Sequence, residues 1–214
     1  MLMTTILITG FGRFPGAPFN PTSGLVRDLI RRRRPALAGV RLVGHVFATR
    51  WDAVDRELPD LLEREKPDVV VLLGVATRAD RVRLELVARN RRTVLLPDAG
   101  GARAPAMRIE AGAPFFVRGR YPVARLRAGL RQAGIDPALS RNAGGYLCNY
   151  AYWRALESAS RPSGPTLVVF VHVPPLHRLA RTSPRSSRHC HVGRDRDFTT
   201  RALEQLIVAA VAAR

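Results

Sequence analysis

Four short runs rich in apolar and β-branched residues constrain the fold more than any other feature of this sequence. They are "TTILITG" at 4–10, "VRLVGHVFA" at 40–48, "DVVVLLG" at 68–74 and "TLVVFVHVP" at 166–174. Such runs are typical of strands in a sheet that is covered on both faces. Because segments of helical character separate them, we predict an α/β fold. We expect residues 1–214 to form a single domain, a three-layer α/β/α sandwich with a mostly parallel, twisted sheet.

The segments between these strands place apolar residues at the spacing of one helix face. Thr22 or Ser23 can act as the N-cap of the first helix, whose C-terminal end carries the outward-pointing Arg31–Arg34 run. Further helices are predicted around Val54, from Pro122, from Cys148 to about Ser160, and from about Asp197.

The stretch "RVRLELVAR" at 81–89 alternates apolar and charged residues, which predicts one continuous strand at a sheet edge or in an antiparallel pair. Arg81, Arg83, Glu85 and Arg89 share the charged face. Residues 96–120 are predicted to be mostly loop, and 178–195 to be a flexible, Arg-rich loop.

The formal net charge of +18 raises the question of nucleic-acid binding. Lys66 is the only lysine, and the arginines are scattered except at 31–34 and in the Arg-rich loop. This pattern indicates arginine codon bias, so we expect only non-specific contact with nucleic acid. Without an apolar run of roughly 18 residues or a basic leader, we expect no membrane span and a cytoplasmic location.

Three polar or reactive features follow predicted strands, where ligands bind in open α/β sheets. They are the loop with Phe11, Phe14 and Asn20, the helix start at Cys148, and His172 near the end of the last strand. A helix N-terminus lowers the pKa of a thiol, and a nearby histidine can take its proton. Cys148 and His172 are therefore a candidate nucleophile and base. A buried structural cysteine and a core histidine remain the alternatives.

Other candidates give weaker signals. Glu85 could orient the histidine, although the alternation of its strand favours a solvated, salt-bridging face. His45 is interpreted as structural. "HCH" at 189–191 has no second ligand cluster, and "GFG" at 10–12 lacks the third glycine of a dinucleotide loop. We therefore expect neither a metal nor an organic cofactor, and two cysteines do not make a disulfide framework.

Four motifs in order resemble those of the pyroglutamyl peptidase I family, the C15 cysteine peptidases. "ILITGFGRFPGAPFNPTSG" is similar to the opening strand and Phe-rich loop, and "VRLELVARN" to the family's "ITxERVAIN". "SRNAGGYLCNYAYW" is similar to "SNxAGxYxCNH", and "VVFVHVPPL" to "GFIHVPxLP". The resemblance covers nearly the whole chain.

The resemblance implies a cysteine exopeptidase that removes an N-terminal pyroglutamyl residue from small peptides through an acyl-enzyme. It implies Cys148 as the nucleophile, His172 as the general base and acid, and Glu85 as the group that orients the histidine. Phe11 and Phe14 match positions that line the substrate pocket, with Asn20 and Val75 beside them. Family members are often tetramers, so a homo-oligomer is expected.

The chain departs from the family pattern at the edge of this pocket. "GVATRA" at 74–79 stands where the family has "GQAGGR", so that Val75 replaces a glutamine. Tyr150 stands where a histidine is common, and Leu95 where an arginine is common. These changes leave an alternative open: a weak or inactive family member that binds anionic or nucleic-acid partners.

Overall fold

The computed structural model of the chain describes residues 3–176 and 196–213. The Arg-rich segment 178–195, with the "HCH" motif and Cys190, lies outside the described residues. Within them the strands are β1 Thr4–Phe11, β2 Val40–Phe47, β3 Val69–Val75, β4 Arg83–Glu85, β5 Val87–Arg89, β6 Phe116–Arg118, β7 Ala138–Ser140 and β8 Leu167–Val173. The α-helices are α1 Thr22–Arg31, α2 Trp51–Glu65, α3 Val123–Gln132, α4 Leu147–Ala159 and α5 Arg196–Val211. No helix in these ranges combines the length and apolar character needed to cross a membrane.

One sheet organises the molecule, with strand order β2-β1-β3-β8-β4-β7. Strands β2, β1, β3 and β8 are parallel, and β4 runs antiparallel to β8. The outer strand β7 is parallel to β4. The predicted α/β fold with a mostly parallel sheet is thus confirmed.

Helices cover both faces of this sheet, because alternate residues of each central strand point to opposite sides. Ile6 and Ile8 of β1 pack in a core with the apolar faces of α1, α3 and α5. Leu7, between them, packs in a second core with those of α2 and α4. The same alternation runs through β3 and β8, which explains why their sequences are apolar at every position except Gly74 and His172.

The predicted continuous strand at 81–89 is wrong, because the chain breaks it at Leu86. Tyr121 and Tyr152 donate hydrogen bonds from their hydroxyls to the main-chain oxygen of Glu85, at 3.0 and 2.8 Å. Strand β4 therefore ends at Glu85, and β5 pairs instead with β6 in a separate two-stranded sheet. The predicted antiparallel pairing holds for β4, which lies inside the sheet between β8 and β7.

The predicted cap of α1 is also wrong. The N-cap residue is Pro21, and no side chain caps the helix. The hydroxyl of Thr22 lies instead within hydrogen-bond distance of Phe11, whose main-chain N–H donates to it at 2.9 Å. At the other end α1 stops at Arg31, and Arg34 forms an ion pair with the buried Glu204 of α5 at 2.9 Å rather than pointing into solvent.

Candidate active site

The carboxyl ends of β1, β3 and β8 meet at one edge of the sheet, where α4 also begins. Phe11 closes β1, Val75 closes β3, and His172 is the residue before the last in β8. Cys148 is the second residue of α4. Because the three strands are parallel, residues that are far apart in sequence come together here.

Strand register places the reactive residues on one face of the sheet. Gly74 of β3 lies opposite His172 of β8, and so does Arg83 of β4 from the other side. Glu85 is two residues from Arg83 on β4, and its partner Phe170 is two residues from His172 on β8. Side chains two residues apart on a strand point the same way, so Glu85 lies on the same face of the sheet as His172. Phe170 belongs to the core beneath α2 and α4, so this is the face that α4 covers.

Gly74 makes room for the thiol of Cys148. A Cβ atom at this position would lie 2.8 Å from Cys148 Sγ and 2.7 Å from Cζ of Phe170. Neither contact is possible without displacement, so a glycine here lets the start of α4 approach the sheet.

Cys148, His172 and Glu85 form a chain of contacts. His172 Nδ1 lies 2.8 Å from Oε1 of Glu85, and the imidazole also interacts with the side chain of Cys148. A carboxylate accepts only, so Nδ1 carries the donated proton and Nε2 is left to face the sulfur. Cys148 is partly exposed, whereas His172 is 6% exposed and Glu85 is completely buried.

The environment of His172 raises its pKa. Burial acts to lower it, because a charged imidazole loses its hydration. The hydrogen bonds and negative charges of Cys148 and Glu85 act in the opposite direction and prevail, which raises the pKa of His172 to about 9. The site therefore favours an imidazolium beside the sulfur at neutral pH.

The main chain of Glu85 is held in place by hydrogen bonds. Its side chain is completely buried, so the solvated, salt-bridging position that the alternation favoured is wrong. The hydroxyls of Tyr121 and Tyr152 both bond to its carbonyl oxygen. Burial and the charge of Glu85 raise the pKa of Tyr121, so this hydroxyl keeps its proton and remains a donor. No local sequence signal connects these tyrosines with Glu85.

Asn149 fixes the start of α4, and sequence reasoning missed it. Its Oδ1 accepts a hydrogen bond from the main-chain N–H of Arg89 at 2.8 Å. Its Nδ2 donates to the carbonyl oxygens of Arg89 and Arg91, at 2.7 and 2.9 Å. The fully buried amide thus ties α4 to β5, directly beside Cys148.

The N-terminus of α4 can stabilise negative charge. Its N-cap residue, Tyr146, makes no side-chain capping hydrogen bond. The first N–H groups of any α-helix have no partner within that helix and carry partial positive charge. They therefore surround Cys148 with donors for an oxygen that gains charge.

A cavity of about 290 Å³ opens in front of Cys148 and His172. Tyr146 and Thr49 line this cavity. So do all four predicted pocket residues, which are Phe11, Phe14, Asn20 and Val75. Phe14 packs against Tyr146 with ring centres 5.7 Å apart. The volume is near the lower end of roughly 300–1,000 Å³ for small-molecule sites, so a small group fits.

Asn20 lines the cavity, but its amide holds the loop that follows β1. Nδ2 donates to the carbonyl oxygen of Gly12 at 3.0 Å, and Oδ1 accepts from the main-chain N–H of Thr22 at 3.1 Å. This network fixes the backbone next to Phe11 and Phe14.

Two of the departures from the family pattern lie away from the cavity. Tyr150 is buried, packs against Trp51 at 5.4 Å and donates a hydrogen bond to Asp55. Leu95 is 76% exposed. Neither lines the cavity, whereas Thr77 and Arg78 of the altered loop after β3 do.

Among the described residues, the other candidate sites lack a nucleophile paired with a base. A cavity of about 500 Å³ beside β5 and β6 is lined by arginines, Phe115 and Met107, with no cysteine or histidine in its wall. His45 forms a partly exposed pair with Glu57 at 2.7 Å. In the part of the chain that the structure describes, no three His, Cys, Asp or Glu side chains group as metal ligands do.

A family model and several known proteins are similar to this chain. The model of the pyroglutamyl peptidase family matches residues 4–188. A pyrrolidone-carboxylate peptidase of Thermococcus onnurineus is 33% identical over 182 residues, which cover 85% of this chain and 89% of that protein. One from Gloeobacter violaceus is 31% identical over 175 residues, 82% of this chain and 83% of that protein.

Solved structures show the same similarity over nearly the whole chain. A mutant pyrrolidone carboxyl peptidase from Pyrococcus furiosus superposes with a TM-score of 0.83 at 25% identity, covering 98% of this chain and 99% of the other. The enzyme from Thermococcus litoralis gives a TM-score of 0.82 at 27% identity, with 98% and 94% covered.

Proposed function

Because the chain belongs to the pyroglutamyl peptidase family, we propose that it removes an N-terminal pyroglutamyl residue from small peptides by cysteine catalysis. Cys148 is the nucleophile, His172 the general base and acid, and Glu85 the positioning residue of the histidine. One observation carries this assignment: His172 contacts Cys148 on one side and the buried Glu85 on the other, at the edge of a small cavity.

The first half of the reaction forms a thioester. His172 Nε2 takes the proton of Cys148, and the sulfur attacks the carbonyl carbon of the pyroglutamyl amide. The carbonyl oxygen becomes an oxyanion that the N–H groups of the first turn of α4 stabilise. As the C–N bond breaks, His172 returns the proton to the leaving nitrogen, which departs as an amine.

The second half consumes one water. His172 takes a proton from the water, whose oxygen attacks the thioester carbon. The C–S bond breaks, Cys148 recovers the proton, and pyroglutamate is released. Glu85, 2.8 Å from Nδ1, holds the ring in the tautomer that both halves need.

The cavity suits a pyroglutamyl ring. The lactam is small, flat and neutral, and aromatic rings such as Phe11, Phe14 and Tyr146 provide apolar walls for such a group. A free N-terminal amine would bring a charge into these walls without a carboxylate partner, which disfavours an unblocked peptide.

The test compares pyroglutamyl anilide with prolyl anilide, which has the same ring size but lacks the lactam carbonyl. We expect hydrolysis of the first only, and a loss of at least about 10³-fold in kcat for Cys148→Ala and His172→Ala. Circular dichroism checks that both variants fold. Equal hydrolysis of the two anilides would contradict the proposed substrate specificity. Undiminished turnover by Cys148→Ala would contradict the assignment of Cys148 as the nucleophile.

The alternative of a binding protein for anionic or nucleic-acid partners gains no support from the comparisons. The relatives and structures described above are named as peptidases. The contacts of His172 also give Cys148 a chemical partner that an inert cysteine does not need.

A further inference from the structure

We propose that Arg78 and Arg83 form an anion subsite on the leaving-group side of Cys148. This inference rests on the proposed function and deepens it: the preferred substrate carries a carboxylate in the first residue after the pyroglutamyl group. Both arginines line the cavity that contains Cys148 and His172.

Arg83 reaches the cavity because of its register in the sheet. It lies directly opposite His172 in the antiparallel pair of β4 and β8. Side chains of directly opposed residues share a face, with Cβ atoms about 4.5–5.5 Å apart. Arg83 is half-buried, so water screens its charge only in part. Arg78 adds a second, exposed cation from the loop after β3.

No side chain among the described residues neutralises these two cations. Neither arginine forms an ion pair or side-chain hydrogen bond within residues 3–176 and 196–213. The nearby carboxylates have other contacts: Asp80 lies 3.6 Å from Arg81, and Glu85 lies against His172. Two unpaired guanidinium groups in one cavity wall favour an anion there.

The order of strands decides which part of the substrate meets this anion subsite. Across the sheet the order is β1, β3, β8, β4, which places Phe11 on one side of His172 and Arg83 on the other. His172 gives its proton to the leaving nitrogen, so the leaving residue lies beside it. The pyroglutamyl ring then faces the aromatic side, and the leaving residue faces Arg83.

A carboxylate at this place has two possible sources. It is either the side chain of an aspartate or glutamate, or the C-terminal carboxylate of a pyroglutamyl dipeptide. The two are separable with three substrates: pyroglutamyl-glutamate amide, pyroglutamyl-glutamine amide and pyroglutamyl-glutamine with a free C-terminus. Pyroglutamyl-glutamine amide is uncharged and is the reference for both anionic substrates.

The first experiment measures kcat/KM for the three substrates at low ionic strength. We expect at least one anionic substrate to be preferred about tenfold over the neutral reference, and 1 M salt to reduce that ratio. Arg83→Gln and the double variant with Arg78→Gln reduce the ratio towards one. The matched control is Arg81→Gln, an exposed arginine outside the cavity wall that keeps the wild-type ratio.

The second experiment measures binding of the same three peptides to Cys148→Ala by calorimetry, so it does not depend on hydrolysis. Tighter binding of an anionic peptide, lost on adding Arg83→Gln, supports the subsite even if the wild type hydrolyses nothing. Thermal unfolding checks that each variant folds. Anionic-to-neutral ratios near one in the binding experiment, or ratios that Arg78→Gln and Arg83→Gln leave unchanged, overturn the subsite whatever the outcome for hydrolysis.

Discussion

At the scale of single residues, the contacts of His172 set its pKa, and its protonation state affects the rate of hydrolysis. The imidazolium is the acid that protonates the leaving nitrogen in the proposed reaction, so the acylation half needs the protonated ring. Its pKa lies near 9 because contacts with Cys148 and Glu85 outweigh burial. Activity is therefore expected to decline as pH rises through this value.

The first prediction concerns Glu85→Gln. Glutamine keeps the shape of the side chain but removes the negative charge that helps to raise the pKa of His172. The alkaline limb of the pH profile of kcat/KM should move to lower pH, and kcat should fall by about 10²–10⁴-fold. Kinetics between pH 5 and pH 10 measure both effects.

The matched control for this prediction is Glu57→Gln, which alters the other His–Glu pair of the described chain, with His45. That pair lies outside the cavity, so the profile should stay as in the wild type. An alkaline limb that Glu85→Gln leaves in place would show that Glu85 does not set the pKa of His172.

Site residues could be proposed from the sequence where the signal was local. Cys148 precedes an apolar helix pattern, and His172 ends an apolar strand, so both could be proposed as site residues from their neighbours. The burial of Glu85 and the cavity position of Arg83 depend on where β4 lies between β8 and β7. The nearby sequence does not encode that placement.

At the scale of elements, the approach of α4 to β5 determines where Cys148 lies. Asn149, in the first turn of α4, holds three main-chain groups of Arg89 and Arg91 and so helps to fix the N-terminus of the helix at the cavity. We therefore expect this buried amide to stabilise the pairing of α4 with β5.

The second prediction is that Asn149→Ala costs about 2–4 kcal/mol of unfolding free energy, because it leaves buried main-chain groups without partners. Urea unfolding measures this change. Asn142→Ala is the matched control: Asn142 is exposed and its side chain accepts one hydrogen bond, from the main-chain N–H of Gly144, so its cost should stay within about 0.5 kcal/mol. Equal costs for both variants would contradict the role of Asn149.

Prediction of elements was most successful for β1, β2, β3 and β8, whose own residues form apolar runs. It was wrong for 81–89, because the break at Leu86 is caused by tyrosine hydroxyls from α4 and from the loop before α3. It was also wrong for the cap of α1, because the Thr22 hydroxyl contacts β1 instead. Both errors come from contacts between residues distant in sequence or in different elements.

At the scale of the whole molecule, the net charge of +18 is spread over many arginines. Several of them are already paired in the described chain, including Arg34 with Glu204, Arg41 with Glu65 and Arg196 with Asp28. The cytoplasmic location and the homo-oligomer, a tetramer in many family members, stay predictions.

The third prediction follows from this dispersed charge. Binding to duplex DNA should be weak and non-specific, and it should fall by orders of magnitude between low salt and about 0.2 M salt. Fluorescence anisotropy with two unrelated DNA sequences measures it, and Cys148→Ala should behave as the wild type does. Tight, sequence-dependent binding that persists at about 0.15 M salt would favour the alternative function.

The most direct test of the central claim is to look for the acyl group on Cys148. The protein is mixed with pyroglutamyl anilide, quenched in acid within one turnover and digested for mass spectrometry. We predict a pyroglutamyl thioester on the peptide that contains Cys148, and no such adduct in Cys148→Ala. Hydrolysis without any adduct on Cys148, or with the adduct on another residue, would contradict the account.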